Sequence, residues 1–177
     1  MKRIFLLFYI FSSCLVMSTS LPAKKIVIFT SGGGHGTRSV DTILSSHLKK
    51  DYIVELAFVF PDILAPIDPI RKITFNRYSG EDLQNFFARR GWIRSANAVC
   101  KFAQKSYIPS CQKNIDKLID DYIQTKKPDL LISLVPLVNA NLARIAKKHN
   151  VPLIIIPTDL DVSSFWWVLL LREHYAF

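Results

Sequence analysis

The stretch Ile26-Val27-Ile28-Phe29-Thr30-Ser31-Gly32-Gly33-Gly34-His35 decides the fold. Its first five residues are apolar or β-branched without alternation, the pattern of a strand covered on both sheet faces. With Lys24 and Lys25 in front, the strand reads as residues 24–30. Glycines 32–34 end it. Residues 37–50 then read as a helix, with Val40, Ile43, Leu44 and Leu48 on one face. A buried strand, a glycine turn and a helix form the opening unit of a Rossmann-like α/β domain.

The rest of the chain continues the alternation. Residues 52–60 read as a second strand, stopped by Pro61. Residues 61–80 hold Pro61, Pro66, Pro69 and Gly80 and read as a long irregular excursion. Residues 81–107 tend to helix, with Phe86, Phe87, Trp92, Phe102 and Tyr107 interleaved with Arg89, Arg90, Arg94, Lys101 and Lys105. Pro109 and Ser110 open the clearest helix, with Ile115, Leu118, Ile119, Tyr122 and Ile123 at helical spacing, and Pro128 closes it. Residues 129–135 read as a third strand and 139–149 as a helix with Leu142, Ile145 and Ala146 inward. Residues 151–156 read as a fourth strand, ending at Pro157-Thr158-Asp159. The expected architecture is a parallel sheet with right-handed crossovers and helices on both faces.

The chain has 177 residues, half of them hydrophobic, which is enough for one real core and argues against general disorder. Its net charge of +9 is unevenly placed. Residues 71–113 hold nine basic and two acidic residues, whereas residues 114–177 hold seven of each. A basic stretch of this kind suits an anionic partner such as phospholipid headgroups, nucleic acid or a phosphorylated substrate, or else forms a solvated face. Cys14, Cys100 and Cys111 fit no metal-ligand spacing and read as buried thiols.

At the N-terminus, Lys2 and Arg3 precede an apolar run that reaches Leu21. Residues 1–23 have the layout of a cleavable signal peptide and equally that of an uncleaved membrane anchor, and an early start codon is a third reading. Cleavage would export the domain, whereas an anchor would leave it on the cytoplasmic face.

In open α/β sheets, ligands bind beyond the carboxyl ends of the strands. Here those ends are Ser31 to Gly36, Pro136 to Asn139, and Thr158-Asp159. The glycine loop offers close backbone approach and a helix start that favours an anion or polar oxygen. It is not a GxGxxG loop, which would need glycine at Thr37, and no Gly-Lys-Ser/Thr follows for a P-loop. His35 titrates near neutrality and reads either as a general base for an acceptor hydroxyl or as a helix-start histidine bonded to backbone. Asp159 reads as a group that orients a histidine or binds a hydroxyl, or as a cap on a following turn.

Three stretches in order carry a resemblance. Ile28-Phe29-Thr30-Ser31-Gly32-Gly33-Gly34-His35, Pro128-Asp129-Leu130-Leu131-Ile132-Ser133 followed by Pro136-Leu137, and Pro157-Thr158-Asp159-Leu160 followed by Trp166 resemble the monogalactosyldiacylglycerol synthase and diacylglycerol glucosyltransferase family. These are lipid-glycosylating GT-B enzymes. The resemblance spans residues 24–167, with Val135 where a histidine is common in the family.

The resemblance implies the N-terminal, acceptor-binding half of a GT-B fold, which meets the membrane and binds a diacylglycerol-type lipid. It implies an inverting hexosyltransferase without a catalytic metal, in which a second domain holds the donor, UDP-galactose or UDP-glucose. It gives His35 the role of catalytic base. Gly32, Gly33, Gly34, Pro136, Asp159 and Trp166 become substrate-binding residues, and Phe86, Phe87, Arg89, Arg90, Trp92 and Arg94 a contact with anionic membrane lipids. Residues 168–177 depart from the family pattern, and a truncated or frameshifted chain, or a split enzyme with a partner chain, is the expected explanation. Such a chain would be inactive alone. A non-catalytic membrane-associated remnant or lipid-binding module is the alternative. Nucleic acid is not an expected partner, because no nucleic-acid motif accompanies the charge.

Overall fold

The computed structural model describes residues 23–33 and 35–158, apart from the side chains of His35 and Gln104. Within them the chain is a Rossmann-like α/β domain built on a four-stranded parallel sheet. Strands β1 (Lys25–Thr30), β2 (Ile53–Phe58), β3 (Leu130–Ser133) and β4 (Leu153–Ile155) lie in the order β2-β1-β3-β4. Residues 1–22 of the signal-like segment 1–23, and the atypical tail, residues 168–177, lie outside the described residues.

The unbroken apolar run of β1 places it at the centre, and each residue from Ile26 to Thr30 is buried. Because side chains alternate along a strand, β1 serves two cores. Ile26 and Ile28 join Ile132 and Leu134 beneath Val40, Leu44 and Leu48 of helix α1 (His35–Leu48). Val27 and Phe29 join Leu131 on the opposite face, beneath helices α5 (Gln112–Lys126) and α6 (Asn139–His149). Ile115, Ile119 and Ile123 recur every four residues and turn the same face of α5 inward, each at 2 % exposure or less. Each such fully buried side chain contributes roughly 1.5–3 kcal/mol. Lys127 and Asn150, both in the left-handed region, end α5 and α6.

Two expectations need correction. Ile43 points outward, 61 % exposed. The inward stripe of α1 is Val40, Leu44 and Leu48, and beside it Asp41 is drawn in by a 2.8 Å hydrogen bond from the Thr30 hydroxyl. Residues 61–80 are not an irregular excursion. A π-helical turn, Val59–Ile63, absorbs Pro61, and Ile63 and Leu64 are buried in the core. Pro69 starts helix α2 (Pro69–Ile73) rather than breaking one, because Asp68 caps it and proline at the first helical position gives up no hydrogen bond. Helices α3 (Gly80–Arg89) and α4 (Ile93–Phe102) follow, then a π-helical segment, Ala103–Tyr107, and a single helical turn, Ile108–Ser110. The Tyr107 hydroxyl donates to the Ile67 carbonyl and ties that segment back to the body of the domain. Cys100 and Cys111 are free thiols and only half-buried.

Candidate functional site

The strand order creates a switch point. From β1 the chain moves to β2 on one side and then returns to β3 on the other. Loops leaving β1 and β3 therefore diverge at their carboxyl ends, the place where sheets of this kind bind ligands. The strand ends are pinned to one another. Leu134 N–H donates to the Phe29 carbonyl at 2.9 Å, and Ile156 N–H to the Ser133 carbonyl at 2.9 Å.

The glycine loop leaves β1 at this switch point. A Cβ on Gly36 would stand 3.5 Å from the Thr158 carbonyl, an ordinary contact, so the segment after β4 adjoins the start of α1. On the β3 side, the wholly buried Ser133 hydroxyl donates to Asn139 Oδ1 at 2.6 Å, fixing the turn Pro136–Val138. The structure thus gathers Gly32, Gly33, the backbone of His35, Pro136 and Thr158 at one edge of the sheet. Gly34, Asp159 and Trp166 lie outside the described residues.

A residue missed from sequence dominates the loop. Glu81, in the first turn of α3, is 8 % exposed, and its Oε1 accepts the Gly33 N–H at 2.5 Å. Asn85, one turn further along α3, presses on the same glycine, where a Cβ would stand 2.8 Å from Asn85 Oδ1. Gly33 is therefore glycine because α3 lies on it. Burial pushes the Glu81 carboxyl above its ordinary value, the Gly33 N–H pulls it back, the neighbouring Asp82 raises it further, and the Gly32 N–H and Arg38 lower it. Among the described residues Glu81 makes no ion pair.

The sequence did hold a signal for this residue. Ser79 and Asp82 form a capping box in which Asp82 N–H donates to Ser79 Oγ and Ser79 N–H to Asp82 Oδ2. Glu81 and Asp82 are also the two acids of the basic stretch 71–113.

The same helix ends in the aromatic cluster. Phe87 and Trp92 stack with centroids 6.0 Å apart, and Phe86 meets both rings edge-on. The Arg90 guanidinium lies 4.6 Å from the Phe86 centroid and 5.9 Å from that of Trp92. Phe86 and Trp92 are 45 % and 52 % exposed, so they face solvent rather than the core. Arg89, Arg90 and Arg94 are exposed around them, and Phe87 is half-buried. Gly91, at φ +72°, makes the bend that folds Trp92 back onto α3.

A shallow depression of about 450 Å³ lies elsewhere, lined by Ile123, Gln124, Lys127, Pro128, His149 and Val151. It sits at the amino ends of β3 and β4, the wrong end of the sheet for a strand-end ligand, and it is open to solvent. The carboxyl end of the sheet is the better candidate because the strand order makes it a switch point and a buried carboxylate, Glu81, contacts the glycine loop there. Among the described residues no group of three His, Cys, Asp or Glu side chains could hold a metal ion, and no helix is long and apolar enough to cross a membrane. Comparison with family models, curated proteins and solved structures returned no match.

Proposed function

We propose that this domain is the acceptor-binding half of a lipid glycosyltransferase, holding a diacylglycerol-type lipid at the glycine-loop crevice while a second domain holds the nucleotide-sugar. The observation that carries the reading is the span of α3. Its first turn contacts the glycine loop through Glu81, and its last turn carries the exposed Phe86 ring, over which a guanidinium lies, with Trp92 exposed just beyond. Such a helix suits a lipid whose polar end must reach a crevice while its chains stay in the bilayer. Exposed aromatic rings enter the headgroup layer, and the surrounding arginines meet lipid phosphates. His35, the first residue of α1, is the candidate base, and the three-stretch resemblance supports the role. The donor in this reading is UDP-galactose or UDP-glucose.

Vesicle flotation tests the reading. Binding is expected to phosphatidylcholine vesicles containing phosphatidylserine, and to strengthen when dioleoylglycerol is added. Binding indifferent to dioleoylglycerol would reduce the domain to a membrane-surface module. Binding to RNA with a steep salt dependence, and not to vesicles, would sink it.

A further inference from the structure

A carboxylate at 8 % exposure with no ion pair among the described residues is an expensive arrangement unless its lone pairs are used. Glu81 has one oxygen, Oε1, committed to the Gly33 N–H. The other, Oε2, lies 3.6 Å from where a Cβ on Gly32 would stand, so it too is turned toward the loop. Besides Gly33, the Gly32 N–H also donates to the carboxylate, no side chain among the described residues donates to Oε2, and Gly32 and Gly33 beside it have no side chains to fill the space. The carboxylate is also held from behind. Its helix starts at Gly80, whose N–H donates to Asp68 Oδ2 at 2.8 Å, and Asp68 is 5 % exposed. The group is thus fixed in place, acceptor-only while ionised, and positioned at the switch point.

We propose that Glu81 is the residue that receives the ligand's hydroxyl at the glycine loop, with Oε1 anchored on Gly33 and Oε2 accepting the O–H. The inference rests on the acceptor-lipid reading and adds to it the group that recognises the alcohol; because an alcohol has one O–H, Glu81 rather than His35 accepts it in the bound state, before any transfer to the base. A neutral primary alcohol fits where an anion does not. Two carboxylates, Glu81 and Asp82, stand by the loop against one guanidinium, Arg38, and the Gly33 N–H that a phosphate would need is already taken. The raised affinity of Glu81 for a proton agrees with a carboxylate suited to strong hydrogen bonding with a hydroxyl donor.

Flotation of the full chain with three vesicle types tests this directly. All contain phosphatidylcholine and phosphatidylserine. One adds dioleoylglycerol, one adds dioleoyl-acetylglycerol, in which the hydroxyl is esterified, and one adds neither. The wild-type chain is expected to gain affinity only from dioleoylglycerol. Glu81→Gln keeps an acceptor for the Gly33 N–H and removes the charge, and is expected to lose that gain by about tenfold, the scale of one charged hydrogen bond. Its binding to the other two vesicle types should not change. Glu81→Asp, which withdraws the carboxylate by one methylene, should lose the gain as well, and circular dichroism of both variants separates this from misfolding. An undiminished gain in both folded variants overturns the role of Glu81 while leaving the acceptor reading intact. A wild-type chain that gains equally from the esterified lipid, or gains nothing, overturns both.

Discussion

Gly33 donates its N–H to Glu81 Oε1 at 2.5 Å, and a Cβ on Gly33 would stand 3.0 Å from the same oxygen and 2.8 Å from Asn85 Oδ1. The glycine loop and α3 are therefore fitted to one another through a residue with no side chain. Gly33→Ala is expected to destabilise the domain by about 1–3 kcal/mol through overpacking. Gly32→Ala meets nothing closer than 3.6 Å and should be near neutral. Adding Asn85→Ala to Gly33→Ala should recover part of the loss. Urea unfolding of the wild type, Gly33→Ala, Asn85→Ala and the double variant checks the coupling, and an additive double mutant would deny the contact.

Glu55 and Glu81 should give stability opposite slopes with pH. Burial alone would raise the Glu55 carboxyl, but hydrogen bonds from Lys126, Lys25 and Tyr122 outweigh it and hold the group at about 2. A depressed carboxylate stabilises above its unfolded value and loses that contribution as pH falls from about 4.5 toward 2. Glu55→Gln should therefore cost on the order of 1–2 kcal/mol at pH 7 and little at pH 2. Glu81 is raised, so its contribution is present below the unfolded value and is lost as pH rises through the folded one. Glu81→Gln should flatten that second slope. Thermal melts across pH 2–8 distinguish the two variants.

Asp68 joins two helices. Its Oδ1 accepts from Ile70 N–H at 2.8 Å and Arg71 N–H at 3.3 Å, capping α2, while Oδ2 accepts from Gly80 N–H at the start of α3. Asp68→Ala removes a cap and leaves Gly80 N–H unpaired, at a cost of about 2–3 kcal/mol. Asp68→Asn keeps one acceptor oxygen and turns an amide NH2 toward the other partner, so it should recover only part of the loss. Full retention of stability in Asp68→Asn would mean that one of the two sets of hydrogen bonds contributes little.

Arg90, Phe86 and Trp92 make contacts that contribute little to the fold. Trp92→Ala and Arg90→Ala should each change unfolding stability by less than about 1 kcal/mol. Each should weaken binding to phosphatidylserine vesicles severalfold, whether or not dioleoylglycerol is present. A Trp92→Ala variant that unfolds easily and still binds vesicles would place the ring in the core rather than at a surface.

The sheet and its central strand were legible because β1 has an uninterrupted apolar run, and α6 was read from residues 139–149 because its apolar spacing and flanks are regular. Residues 61–80 look irregular in the sequence because proline usually punctuates regular structure. Pro69 sits instead at a capped helix start, where a missing N–H costs nothing. Ile43 was misplaced because periodicity in a short helix fixes a face only to within a residue, and the buried Thr30–Asp41 bond turned the helix past it. At the site, the glycine loop was evident from its spacing. The capping box at Ser79 and the two acids in a basic stretch mark the helix start in the sequence, but the role of Glu81 depends on packing between segments separated by 48 residues, which local pattern does not show.

The central claim is that a lipid alcohol enters the crevice between the glycine loop and the first turn of α3. Photo-crosslinking measures this most directly, using a diacylglycerol analogue with a diazirine one carbon from the free hydroxyl, presented in phosphatidylserine vesicles. The account predicts labelled peptides covering residues 31–36 and 81–85, competed away by unlabelled dioleoylglycerol. Label confined to residues 86–102, or unaffected by the competitor, would contradict it.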